Sequence, residues 1–211
     1  MRRMGSRSFR YPVFLDLTDA PVLLVGAGPV AARKAEGLAA AGAVVTVVAP
    51  DVVADLEAVA ARIERRPYSP GDITGHRLVI TATNDPTVNA QVSADARAAG
   101  IWVNSADDPD NCSFILPAVA RRGPVTVAVS TGGASPALAS RLRRDIAATL
   151  PTPAVEHAAA ELTRQPAEIH AAGASTEDVD WTERVDAALR GQTSSPSKPP
   201  VEPPVEPPTA G

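Results

Sequence analysis

The sequence predicts an α/β protein built on a mostly parallel sheet, and three observations carry that prediction. Short apolar, β-branched runs alternate with Ala-rich helical patterns through the first half of the chain. Glycines stop the first of these runs and lead directly into the first helix. Aromatic residues make up only 3% of the 211 residues while 45% are hydrophobic, so the core has to be Val, Leu, Ile and Ala. That composition suits helices laid on a Val-rich sheet.

Taken in order, "PVLLVGAG" reads as a buried strand ended by glycine, and "PVAARKAEGLAAAG" as a helix closing at Gly42. "AVVTVVAP" is a second buried strand, followed by apolar periodicity that predicts a helix from Asp51 to Ile63. "ERRPYS" reads as a short third strand and "RLVITATN" as a fourth. "DPTVNAQVSADARAAG" is a helix with Pro86 in its first turn, and "IWVNS" is a fifth strand. Strands alternating with helices imply right-handed crossovers and parallel pairing.

The rhythm then changes. "SFILPAVARRGPVTVAVSTGG" reads as two strands joined by a turn at Arg122, Gly123 and Pro124, which is antiparallel logic. Ser135 and Pro136 supply an N-cap and a first-turn proline for "ALASRLRRDIAATL". Further helix is expected in "PAVEHAAAELTRQ" and "VDWTERVDAALRG", with a joint at "AAGAST". Residues 192–211 are Pro-rich with a Val-Glu-Pro-Pro repeat, a composition that cannot bury a core and is expected to be disordered.

Bulk properties exclude several classes. Twenty Lys and Arg against 24 Asp and Glu give a net charge of -4, so nothing in the overall field calls for nucleic acid or an anionic membrane. No apolar run approaches the roughly 20 residues of a membrane helix. One cysteine cannot form an internal disulfide, which points to a reducing compartment. The expectation is a soluble cytoplasmic protein.

The run Gly26-Ala27-Gly28-Pro29-Val30-Ala31 is a G-x-G-x-x-A turn between the first strand and the first helix. In a Rossmann-like dinucleotide site the first glycine makes the tight turn and the second lets a pyrophosphate approach the backbone. The third, small residue lets helix and strand pack closely. The open alternative is a tight turn in an unrelated α/β domain. Asp51, after Pro50 at the end of the second strand, stands where an acid accepts from an adenine ribose 2'-OH and would repel a 2'-phosphate, which favours NAD over NADP. Equally, Asp51 would cap a helix starting at Val52. Thr83, Asn84 and Asp85 follow the fourth strand at the carboxyl edge of the sheet, placed either to face a nicotinamide ribose or to cap the next helix.

Together with "YPVFLDL", "VNSADDPDNCSFILPAVARRG" and "PVTVAVSTGGASPALASRLRR", these segments resemble the precorrin-2 dehydrogenase family, the dehydrogenase/ferrochelatase module of sirohaem synthases and its stand-alone relatives. The resemblance covers about residues 11–150 and is most specific in "NCSFILPA" and "VAVSTGGASPALA". It implies NAD-dependent oxidation of precorrin-2 to sirohydrochlorin on a homodimer. The implied domains are an NAD-binding Rossmann domain over residues 1–112, a dimerisation element of strand pair and helix over 113–150, and a small helical domain over 151–191. NAD would contact Gly26, Gly28, Pro29, Val30, Pro50, Asp51, Thr83, Asn84 and Asn104. Some relatives also insert iron, which makes ferrous ion a second candidate substrate. The helical region after residue 150 departs from the family pattern. No methyltransferase is fused within these residues, so precorrin-2 is expected from a separate protein.

The family's Asn-x-x-Asp pattern lands on Asp107, through Asn104-Ser105-Ala106-Asp107. Oxidising precorrin-2 removes a hydride and a proton, so a carboxylate base is needed, and the resemblance assigns that role to Asp107. Asp108 and Asp110 read better as turn residues. Ser130, Thr131, Gly132, Gly133 and Ser135 form a glycine-rich turn before a helix, a possible anion nest for the substrate's carboxylates. Arg141, Arg143 and Arg144 either join that nest or form a solvated helix face. Cys112 reads as a small buried hydrophobe beginning the next strand, and His76, His157 and His170 lack ligand spacing, so no resident metal is expected. Two other functions compete: an NAD-sensing regulatory module without turnover, and a dehydrogenase for another small substrate.

Overall fold

The computed structural model describes residues 9, 11–106, 108–149 and 152–191. The elements run β1 (Pro21–Val25), α1 (Pro29–Ala39), β2 (Val44–Val48), α2 (Ala54–Glu57), β3 (Arg62–Glu64), β4 (Leu78–Thr81), α3 (Pro86–Ala98), β5 (Trp102–Ser105), β6 (Ala118–Arg122), β7 (Val125–Val129), α4 (Pro136–Thr149), α5 (Pro153–Ala171) and α6 (Trp181–Leu189). Contacts divide them into two units. One holds the chain up to Pro117 together with Ser130–Pro136; the other holds Ala118–Val129 and the chain from Ala137 onward.

In the first unit five parallel strands lie in the order β3-β2-β1-β4-β5. Alternation along β1 and β4 divides the core between the two faces. Val22, Leu24, Leu78 and Ile80 pack with Ala31, Ala35 and Leu38 of α1. Leu23, Val25 and Val79 pack with Val92 and Ala96 of α3. Both faces are covered, which is why these strands read as unbroken apolar runs. Burying each such Val or Leu contributes about 1.5–3 kcal/mol. The Rossmann-like sheet and the antiparallel pair match the predicted fold class.

Two local expectations fail. The helix expected from Asp51 to Ile63 is only α2, a single turn with no side-chain cap at Val53. Val52, Val53, Val59 and Ala60 still pack on the α1 side of the core, so the helical spacing records burial by a loop instead of by a helix. The third strand is Arg62–Glu64, not "ERRPYS". Pro67 cannot donate to a ladder, and Ser69 with Asp72 builds a capping box that starts a 3-10 turn at Pro70–Ile73.

In the second unit β6 and β7 pair antiparallel, with Ala118 opposite Val129 and Arg122 opposite Val125. Gly123, at φ +51°, makes the turn. Helix α5 begins at the Thr152 cap and runs through Pro166 to Ala171, beyond the predicted stop at Gln165. Burial of Gln165 and Ile169, the former accepting from Arg184 Nη1 at 3.2 Å, holds the added turns against the proline's lost hydrogen bond. Asp180 caps α6 through the amides of Thr182 and Glu183. The Pro-rich segment 192–211 lies outside the described residues. No helix among the described residues is long and apolar enough to cross a membrane.

Candidate dinucleotide and acid-loop site

The strand order reverses beside β1, whose neighbours are β2 and β4, so a crevice opens beyond the carboxyl ends of β1 and β4. Gly26 sits there at φ +100°, and a Cβ on it would lie 2.5 Å from the Ala82 carbonyl oxygen. Only glycine fits both that backbone conformation and that approach. Gly26 N donates to Val48 O at 2.9 Å and Ala82 N to Val25 O at 2.8 Å, so the turns after β1 and β4 are fixed to the sheet ends.

Gly28 differs: a Cβ there would meet nothing within 4 Å. It is the N-cap of α1, offers no side-chain cap, and no acid stands in the first turn. The first amides of a helix have no intrahelical partner, so this end of α1 presents donors and open space together. That is the arrangement a dinucleotide pyrophosphate requires. Pro29 fills the first helical position, Val30 is 38% exposed, and Ala31 is fully buried where helix and strand meet.

The other expected cofactor positions divide. Pro50 and Asp51 are exposed beyond β2, and because α2 starts only at Ala54, Asp51 caps no helix. Asn84 is exposed at the carboxyl edge, while Asp85 caps α3 by accepting from Thr87 N at 2.8 Å. The Thr83 hydroxyl is directed inward. It reaches Asn89 Oδ1 at 2.8 Å and accepts from Asp85 N at 3.2 Å, and Asn89 Nδ2 donates to Thr83 O at 3.0 Å. Asn89 also accepts from Thr81 Oγ1, so this buried amide shapes the whole turn after β4. The sequence carried a signal for it: Asn89 opens the buried stripe Asn89, Val92, Ser93, Ala96, where an apolar residue is the ordinary choice.

Beyond β5 the acid loop is built on Asn104, which is 5% exposed. Its Nδ2 donates to Phe114 O at 3.1 Å and lies 3.5 Å from Cys112 Sγ; its Oδ1 accepts from Lys34 Nζ at 3.1 Å. Asn104 therefore closes the loop from within. Lys34, half-buried on α1, was not singled out from the sequence; its one signal is a cation on the helix that follows the glycine turn. Asp108 accepts from Asn111 N at 3.3 Å and from Asn111 Nδ2 at 2.6 Å, capping a 3-10 turn at Pro109–Asn111. Asp110 is exposed, and its carbonyl accepts from Arg97 Nη2 at 2.8 Å. Both serve the turn. Asp107 lies outside the described residues.

Cys112 is 2% exposed, accepting from Ser105 N at 3.2 Å and donating to Ser105 O at 3.2 Å. Burial pushes its thiol above the usual range, against the Ser105 amide that lowers it. It is a small buried residue, as expected, but it does not begin a strand: β6 starts at Ala118, after a turn and Pro117. Among the described residues no group of three or more His, Cys, Asp or Glu is placed to hold a metal ion.

The glycine turn before α4 belongs to the first unit. Gly132 and Gly133 take φ +65° and +93° and stand beside Phe9. Much of the expected nest is filled by the loop itself. Gly132 N donates to Ser130 Oγ at 3.1 Å, Ala134 N to Thr131 O at 3.1 Å, and Ser135 N to Thr131 Oγ1 at 2.9 Å. On α4, Arg141 pairs with Asp145 at 2.9 Å.

This geometry agrees with the comparisons. A family model described as NAD(P)-binding matches residues 13–118, half of the chain, and one described as sirohaem biosynthesis protein central matches 122–149. The chain belongs to this NAD(P)-binding family. Siroheme synthase of Pseudomonas putida is 47% identical over 145 residues, covering 67% of this chain and 31% of that protein. Siroheme synthase of Methylococcus capsulatus is 48% identical over 145 residues, with the same coverage. The chain thus spans about a third of the length of these curated relatives. A solved structure of SirC, precorrin-2 dehydrogenase, is 28% identical with a TM-score of 0.63, over 86% of this chain and 88% of that one. The NAD(P)-binding match spans the glycine turn and the carboxyl edge of the sheet, and the sirohaem match spans β7 and α4.

Proposed function

We propose that the chain oxidises precorrin-2 to sirohydrochlorin with NAD. The observation that carries this reading is the open Gly28 position at an uncapped helix start, on a sheet whose chain resembles SirC over most of both lengths. Gly26, Gly28, Pro29 and Val30 would hold the pyrophosphate turn, and exposed Asp51 the adenine ribose. Asn84 stands at the carboxyl edge near where the nicotinamide end belongs. Bound NAD supplies the hydride acceptor. Thr83, Asn104 and Asn89 act from behind: their side chains are spent on turn and loop geometry, which sets where cofactor and acid meet.

In this reading Asp107 takes the proton leaving the macrocycle, as the loop acid that Asp108 and Asp110 leave unassigned. Ser130 to Ser135 would meet substrate carboxylates with whatever donors the loop has not used on itself. The protein works as a homodimer in the cytoplasm. Support for the dimer is the exposed apolar run Tyr11, Val13 and Phe14, with Leu138 and Leu142 on α4. The division into residues 1–112, 113–150 and 151–191 as cofactor, dimer and helical domains belongs to the same proposal. Iron insertion is a separate activity, read by adding ferrous or cobaltous ion to the protein with sirohydrochlorin.

The test is direct. Purified protein given precorrin-2 and NAD should form NADH, and Asp107→Ala should lose that activity while still binding NAD. Wild-type protein that binds NAD but never reduces it with precorrin-2 would be a regulatory module, and the enzyme reading would fall.

A further inference from the structure

Within the second unit, strand β6 and helix α4 flank an open hollow of about 320 Å³ lined by Val119, Ala120, Arg121, Arg122, Arg143 and Ala147. Three arginines from two different elements line it. Arg122 pairs with Glu156 at 3.2 Å. Arg121 and Arg143 have no acidic partner among the described residues, whereas Arg141, two residues before Arg143 and so on another face of the same helix, is paired with Asp145. Like charges gathered at one concavity repel one another, and an anion seated among them offsets that cost.

We infer that this hollow is an oxyanion site that takes carboxylate arms of the substrate, with Arg121 and Arg143 as its anchors. The inference rests on the proposed tetrapyrrole substrate and deepens it. A guanidinium fork matches a carboxylate through two parallel hydrogen bonds, so two unpaired forks suit a molecule carrying several acid arms. The volume lies at the low end for a small-molecule site, with room for side arms instead of a whole macrocycle. Val119, Ala120 and Ala147 line the rest with small side chains that leave room for a carboxylate.

The experiment compares the full chain with Arg121→Gln/Arg143→Gln and with Arg143→Lys. Sirohydrochlorin binding is followed by absorbance titration, which needs no turnover, and precorrin-2 kinetics are run alongside. The double variant should weaken sirohydrochlorin binding at least tenfold and raise KM to match. Its kcat should stay within about twofold and its NAD affinity should not change; Arg143→Lys should fall between. Millimolar inorganic phosphate should compete with sirohydrochlorin on wild type and lose that effect in the double variant. Equal tetrapyrrole affinity in wild type and double variant overturns the inference, and phosphate binding that persists only in wild type would then mark a free-phosphate site. A shift in sedimentation by the double variant would place the arginines against a second copy and also overturn it. If wild type binds no tetrapyrrole, the parent reading falls and this one with it.

Discussion

Lys34 Nζ lies 3.1 Å from Asn104 Oδ1, so the helix that follows the glycine turn is tied to the strand that leads into the acid loop. The same amide holds Phe114 O at 3.1 Å across the loop's far end. Asn104 is buried, and removing it deletes an acceptor for a cation and a donor for a carbonyl at one point. Asn104→Ala should cost about 2–3 kcal/mol by urea unfolding. It should also lower turnover more than NAD affinity, because the loop moves while the glycine turn does not. Equal losses of both would mean that Asn104 touches the cofactor itself.

Gly26 and Gly28 make opposite demands, and alanine separates them. At Gly26 an added Cβ meets Ala82 O at 2.5 Å in a left-handed conformation, so Gly26→Ala should destabilise the fold by several kcal/mol or prevent it. At Gly28 the Cβ enters open space at φ -84°, so Gly28→Ala should fold with unchanged stability. The space it fills is where a pyrophosphate would approach, so NAD affinity should fall by about tenfold, which is about 1.4 kcal/mol. Thermal melts with and without NAD check both. A Gly28→Ala protein with full NAD affinity would place the pyrophosphate elsewhere.

The contrast shows what sequence can disclose here. Strands such as Val22 to Val25 were legible because two covered faces demand continuous apolar residues, and the glycine turn because its backbone permits little else. The helix at 51–63 was misread because Val52, Leu56, Val59 and Ala60 satisfy burial without satisfying helix hydrogen bonds. Burial and helix share a periodicity whenever a loop lies across a core. In the site, Asp108 read as a turn residue and capping was one of two roles open to Asp85, because capping chemistry is local in sequence. Lys34 with Asn104, 70 residues apart, and Asn89 behind Thr83 could not, because those pairings exist only once the sheet has formed. The resemblance implies Asn104 at the cofactor, but the inward partners that its side chain meets were not legible.

The Arg66 and Asp72 pair gives the fold a pH dependence of known sign. Asp72 accepts from both terminal nitrogens of Arg66, at 2.8 and 2.7 Å, and from Ser69 N at 2.8 Å. The Arg66 hydrogen bonds hold its carboxyl below the usual 3.8, against burial, which raises it. A folded-state value below the unfolded one stabilises the fold above the unfolded value and stops doing so as pH falls through the folded one. Arg66 is 42% exposed, so screening limits the contribution to about 1 kcal/mol. Asp72→Asn should be less stable than wild type by that constant amount from pH 8 to about 5, and the gap should close below about pH 4. Parallel denaturant titrations across this range check it, and a gap that widens on acidification would reverse the assignment.

Cys112 is the chain's single thiol, and its surroundings predict inertness. It is 2% exposed, hydrogen-bonded to both main-chain groups of Ser105, and burial raises its pKa. Both access and thiolate fraction therefore work against reaction. Iodoacetamide at pH 8 should modify the native protein at least tenfold more slowly than the same chain in urea. Cys112→Ala should cost about 1–2 kcal/mol through lost packing and the lost Ser105 contacts. NADH formation from precorrin-2 should stay within about twofold of wild type, since the thiol supports the loop from beneath without meeting the reactants. Rapid alkylation of the native protein that also abolished NADH formation would move Cys112 from the loop's support to its working surface. The acid loop would then have to open far more readily than its hydrogen bonds to Asn104 and Ser105 indicate.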